Sequence, residues 1–133
     1  MAGSVERAIR QLANGRCEYC QLPELPDSFK HVLDHVIARQ HHGEATRHNL
    51  ALCCVRCNAF KGPNLTGIDP ISKRITPLFH PRQDIWSEHF RYEGPILVGL
   101  TDKGRATVAV LSINLPVRVA ARHALMESGL WSR

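Results

Sequence analysis

Val5, Ala8, Ile9 and Leu12 recur at helical spacing, so Ser4–Ala13 is predicted as an amphipathic helix, with Ser4 as its cap and Asn14-Gly15 as its stop. Arg16–Pro26 breaks this pattern with two cysteines and two prolines and reads as a turn followed by a loop. Phe29–Ile37, with Val32, Leu33, Val36 and Ile37 apolar, predicts a strand, and Leu50–Cys53 a second, shorter one. Between them Ala38–His48 has no periodicity and reads as a loop. Val55–Lys61 predicts one or two helical turns ended by Gly62-Pro63. Gly62–Pro81 carries four prolines and no long apolar run, which predicts a segment wrapping the surface. Asp84–Arg91 predicts a short helix with Trp86 and Phe90 one turn apart, as core aromatics and not base-stacking platforms. Pro95–Leu100 and Ala106–Ile113 read as two strands joined by a hairpin turn over Thr101–Arg105. Pro116 opens a last helix running to about Ser128, with Gly129 as its stop.

A chain of 133 residues predicts one domain, 1–133, with a core at about 16–62 and a C-terminal extension at about 75–133. Lys and Arg number 17 against 12 Asp and Glu, a formal charge of +5 that favours a polyanionic partner. No apolar run is long enough to span a bilayer, so no membrane partner is expected. The start of the chain is amphipathic and unlike a secretory leader, and the expected location is cytoplasmic. In a reducing compartment five cysteines point to metal ligation in place of disulfides. Cys17-x-x-Cys20 and Cys54-x-x-Cys57 can give four thiolates to one tetrahedral Zn²⁺, a closed shell and therefore a structural metal. Cys53 is left over and reads as a small buried hydrophobe.

The segment framed by these cysteines carries Asp34-His35, then Asn49, and Asn58 follows Cys57. Hydrolysis of a phosphodiester needs a base to activate water and a cation to neutralise the phosphate and the leaving oxygen. A neutral histidine serves as such a base near pH 7. A carboxylate with an amide oxygen is a hard-oxygen donor set suited to Mg²⁺ or Mn²⁺. Adjacent residues on an ideal strand point to opposite faces, so twisted or bulged backbone is expected at Asp34-His35 if both address one phosphate.

The order Cys17-x-x-Cys20, Asp34-His35-Val36-Ile37, Asn49-Leu50, Cys54-x-x-Cys57-Asn58 and Lys61 resembles the HNH endonuclease family over about Arg16–Gly62. Pro77–Arg82, Trp86–Phe90 and Gly99–Thr107 are similar to the tails of small stand-alone bacterial members. The resemblance implies an α+β fold with a zinc-stapled ββα-metal (His-Me finger) core. To this are added an N-terminal helix and a C-terminal strand pair plus helix packed on the core. It implies His35 as general base, Asp34 and Asn58 as ligands of the catalytic metal, and Asn49 as the brace that orients the histidine. Asn58 stands where many members carry a third histidine, an H-N-N variant expected to prefer Mg²⁺ or Mn²⁺. Lys61 is placed to meet a phosphate from the helix. Similar proteins tend to carry His-Gly-Gly where this chain has His41-His42-Gly43, so a different loop backbone is expected.

The resemblance implies DNA, taken as double-stranded, as the partner. His41, Arg39, Arg56 and Arg82 are candidate phosphate contacts, with Arg47, Arg105, Arg118 and Arg122 as further cations. Arg118 and Arg122, one turn apart, read either as a phosphate-facing stripe or as a solvated face. Two alternatives stay open: a non-catalytic zinc-dependent nucleic-acid-binding module, and a partner-dependent nuclease subunit.

Overall fold

The computed structural model describes residues 2–131, the Ala2 side chain excepted. The chain forms two compact units, the residues up to Leu65 with His80–Asp84, and Thr66–Phe79 with the chain from Ile85 on. Both mix helix and strand, and no described helix is long and apolar enough to cross a membrane.

In the first unit α1 spans Ala2–Ala13. It begins two residues before the expected cap, so Ser4 lies in its first turn. Ile9, fully buried, meets Leu50 and Leu52, with Val5, Ala13 and Leu33 packed around them. Strand β1, Val32–His35, pairs antiparallel with β2, Leu50–Cys53, in the register Val32↔Cys53, Leu33↔Leu52, Asp34↔Ala51 and His35↔Leu50. Opposed residues share a face. Leu33, Leu50 and Leu52 therefore line the α1 side, whereas Asp34, Ala51 and Cys53 look the other way. The expected bulge is absent: the ladder runs without interruption to His35, and Val36 N–H still bonds Asn49 O at 2.9 Å. The first strand is shorter than Phe29–Ile37 because Phe29 is exposed and the chain bends after His35. Helix α2, Val55–Lys61, follows at once and ends at Gly62 as predicted.

The second unit departs further from expectation. The proline-rich stretch contains a hairpin, β3 (Thr66–Ile68) with β4 (Ile75–Pro77). Asp69 closes it. Its carboxylate accepts the Ile71 and Ser72 amides and a bidentate pair from Arg105 at 2.8 Å each. Helix α3 is one turn, Trp86–His89. Strand β6, Ile96–Gly99, pairs with β5, Phe90–Glu93, and not with Ala106–Ile113. That stretch is helical instead: α4 spans Asp102–Val110, and Thr101 caps it by accepting the Gly104 amide at 3.0 Å. Its β-branched residues favour a strand, but the cap and the packing outweigh them. A Cβ on Gly104 would stand 2.1 Å from the His89 carbonyl oxygen, so only glycine lets the helix approach this closely. Phe90 is buried in the core and Trp86 packs on it half-buried, their ring centroids 5.2 Å apart.

Helix α5, Pro116–Glu127, ends where expected, but the reading of its arginines is overturned. Arg118 and Arg122 are neither phosphate-facing nor solvated. Both are buried, Arg118 on the Leu111 carbonyl and Arg122 on those of Pro95 and Ile113 and on Asn114. Such donors satisfy carbonyls that burial would otherwise leave unpaired.

The Arg105 guanidinium holds the Asp69 carboxyl well below the usual carboxylate range. Stability from a depressed pKa is present above the unfolded value, about 3.9, and is lost as pH falls through the folded value. Asp69→Asn is expected to lower the unfolding midpoint at neutral pH, with the gap to the parent closing as pH drops below about 4. Chemical unfolding across that range checks it, and a pH-independent gap would contradict the coupling.

Candidate metal centre and active site

The two Cys-x-x-Cys turns converge. The ligand atoms of Cys17, Cys20, Cys54 and Cys57 all lie within 4.8 Å of one another, buried and free of disulfides. Four sulfurs at about 2.3 Å from a tetrahedral zinc stand about 3.8 Å apart, and Cys20 Sγ and Cys54 Sγ are 3.8 Å apart. The Cys20 and Cys57 amides point at Cys17 Sγ and Cys54 Sγ at 3.5 and 3.4 Å, and Cys54 is at the same time the N-cap of α2. The four cysteines are thus positioned to bind a metal such as zinc. Cys53 lies outside the cluster. Its contact with Cys17 and its burial push its thiol far up, so it stays protonated in the core.

Asn49 bridges the loop between the strands. Its Oδ1 accepts the Ile37 amide at 2.8 Å, and its Nδ2 donates to the Ile37 and Glu44 carbonyls at 2.9 Å each. Beneath it a Cβ on Gly43 would stand 1.7 Å from the Ile37 carbonyl oxygen. His42 has φ +68°, the left-handed conformation that glycine adopts most readily. The departure from His-Gly-Gly therefore changes the residue at a glycine-like backbone position. His35 ends β1 half-buried, and Arg39 Nε approaches its Nε2 at 3.4 Å. That contact leaves Nε2 as the accepting nitrogen.

Asp34 does not share this side. It is 5% exposed, and Oδ2 accepts Tyr19 Oη–H at 2.7 Å and pairs with Lys61 Nζ at 3.2 Å. Oδ1 has one long contact, to Lys61 at 3.4 Å. Burial pushes the Asp34 carboxyl up, and Lys61 and Tyr19 pull it back in part. Lys61, expected at a phosphate, is turned inward and 1% exposed. Its Nζ also donates to the His35 and Val36 carbonyls at 3.3 and 3.0 Å, which uses the three donors of an ammonium. Arg82 is likewise turned in, paired with Glu18, and its Nε is buried without a partner among the described residues. Asn58 is half-buried on α2, whereas Arg39, His41 and Arg56 are exposed.

Motif spacing alone did not single out Tyr19 or Glu18. Both lie inside the first Cys-x-x-Cys turn, and residues there are carried to wherever the cysteines go. Glu18 caps the Leu52 amide of β2 at 2.7 Å, and Tyr19 reaches Asp34.

The HNH endonuclease family model matches residues 17–63, the stretch bounded by this cysteine frame and α2. Among curated proteins the chain is similar to the Septu protein PtuB of Bacillus thuringiensis, with 26% identity over 113 residues, 83% of this chain and 41% of that protein. The chain thus spans about two fifths of that relative's length. No solved structure matches.

Asn49→Ala removes the partners of three partly buried backbone groups, which water reaches in part. Urea unfolding of the zinc-loaded protein is expected to show a loss of about 1–3 kcal/mol, and a loss of under about 0.5 kcal/mol would mean that the loop does not depend on this brace.

Proposed function

We infer that the chain is a metal-dependent endonuclease, an HNH-type phosphodiester hydrolase acting on DNA. The observation carrying this reading is the family match over residues 17–63, the segment in which His35 stands at the open end of a strand whose neighbours are locked by Asn49 and Lys61. In this reading β1, β2 and α2 form the ββα-metal unit, the four cysteines carry a structural zinc, and the whole works as one nuclease domain.

His35 takes the proton from the attacking water at Nε2, whose one lone pair is freed when Arg39 turns to the phosphate. Arg39, beside that nitrogen, is placed to meet the phosphate, with exposed His41 and Arg56 as further contacts. Asn49 fixes the loop that follows His35 and so its approach to the water. Asp34 and Asn58 would hold Mg²⁺ or Mn²⁺, their carboxylate and amide oxygens suiting a hard cation, and because Asp34 and His35 face opposite sides of an unbulged strand the end of β1 has to twist for both to reach one phosphate. Asp34 Oδ1, with its one long contact, is the oxygen with acceptor capacity left. When bound, the cation supplies charge neutralisation at the scissile phosphate and the leaving oxygen. Few base contacts are available to such a unit, so affinity rests on phosphates and falls steeply with salt.

The inward-facing Asp34–Lys61 pair favours a second reading, a zinc-dependent nucleic-acid-binding module without catalysis. The match to Septu PtuB, which extends well beyond the shared region, leaves a partner-dependent nuclease subunit as a variant of the first reading.

Incubation with supercoiled plasmid at low salt, with Mg²⁺ or Mn²⁺, decides between them. Nicking or linearisation is expected, abolished by EDTA and reduced roughly 10²–10⁴-fold by His35→Ala. Cleavage by His35→Ala at the parent rate would remove His35 as the base. DNA binding without cleavage by folded, zinc-loaded protein would leave the second reading and the partner-dependent subunit.

A further inference from the structure

We propose that Tyr19 and Lys61 are positioning residues of the nuclease site, through which the two Cys-x-x-Cys turns together set the place of Asp34 and the end of β1. The proposal rests on the nuclease reading and names two residues that its chemistry does not.

The first cysteine turn and the helix that starts at the second each send one side chain to the same carboxylate. Tyr19 lies between Cys17 and Cys20, is fully buried, and donates its hydroxyl to Asp34 Oδ2 at 2.7 Å. Lys61 is the last residue of α2, the helix that Cys54 caps, and its ammonium is 3.2 Å from the same oxygen. Its other two bonds go to the His35 and Val36 carbonyls. The partners of Lys61 are therefore the side chain of one proposed site residue and the peptide oxygen of the next.

A buried lysine–aspartate pair is a poor device for stability alone, because well-packed apolar residues of the same volume often serve as well or better. What such a pair does supply is orientation. Tyr19 bonds Oδ2 while Lys61 straddles both oxygens, donating to Oδ1 at 3.4 Å and lying 3.2 Å from Oδ2, which fixes the carboxylate plane. The two carbonyl bonds fix the backbone from which the His35 ring projects. Groups that orient metal ligands from behind typically change metal affinity or activity 10- to 100-fold when removed.

The test uses the full zinc-loaded chain and Tyr19→Phe, which deletes one oxygen and no volume, with Lys61→Met and Lys61→Arg beside it. Mn²⁺ affinity is read by electron paramagnetic resonance of the free ion, zinc content by elemental analysis, and unfolding by urea. Tyr19→Phe is expected to keep its zinc and its cooperative unfolding while binding Mn²⁺ about tenfold more weakly, with kcat for nicking reduced and KM for DNA unchanged. Lys61→Arg, which keeps the charge, is expected to recover part of what Lys61→Met loses. If Lys61→Met does not fold, Tyr19→Phe carries the test alone. Parent-like Mn²⁺ affinity and kcat in Tyr19→Phe would overturn the proposal and leave the nuclease reading intact. A parent that binds no Mn²⁺ would overturn both.

Discussion

Four buried cysteine sulfurs within 4.8 Å of one another set the conditions for the rest of the first unit. Four thiolates packed this closely repel one another unless a cation lies among them, and desolvation adds to that cost. With a metal at the centre, two turns far apart in sequence become one rigid corner. Glu18 then meets the Leu52 backbone, Tyr19 meets Asp34, and Cys54 both joins the cluster and starts α2. The hydrophobic contribution on the other face of the strands is modest, centred on Ile9, Leu50 and Leu52. A small unit with so little apolar core depends on such a staple.

The corner reaches the site through polar contacts buried behind it. Lys61 and Tyr19 hold Asp34 from one face of β1, and Asn49 holds the loop beyond His35. His35 is left at the strand end with Arg39 beside it. The same economy governs the other cations. Lys61, Arg82, Arg105, Arg118 and Arg122 all have inward partners, on carbonyls or carboxylates. The formal charge of +5 therefore overstates the charge offered to a polyanion, and exposed Arg39, Arg47 and Arg56 are among the cations left to meet one.

Much of this was legible before any coordinates. Cysteine spacing marked the metal cluster, and α1, β2 and α2 fell where periodicity and stop signals put them. Asn49 stood out by its place in the motif. The rest depends on contacts that no local pattern records. Asp34 and Lys61 are 27 residues apart in sequence, so that Lys61 faces a carboxylate and not solvent is a fact of packing. Ala106–Ile113 is rich in β-branched and apolar residues like a strand, but the Thr101 cap and the close approach at Gly104 make most of it α4. The β3–β4 hairpin is three residues long on each side and carries Pro77 and exposed isoleucines, so it lacks the alternation that marks a half-buried strand. Arg118 and Arg122 have the spacing of a surface stripe, and only the buried carbonyls beneath them show their use.

The measurement that tests the cysteine corner most directly is X-ray absorption at the zinc edge on the purified, folded chain. The account predicts one zinc per chain with four sulfur neighbours at about 2.3 Å. A folded chain with no zinc, or a zinc shell containing nitrogen or oxygen in place of a cysteine, would contradict it.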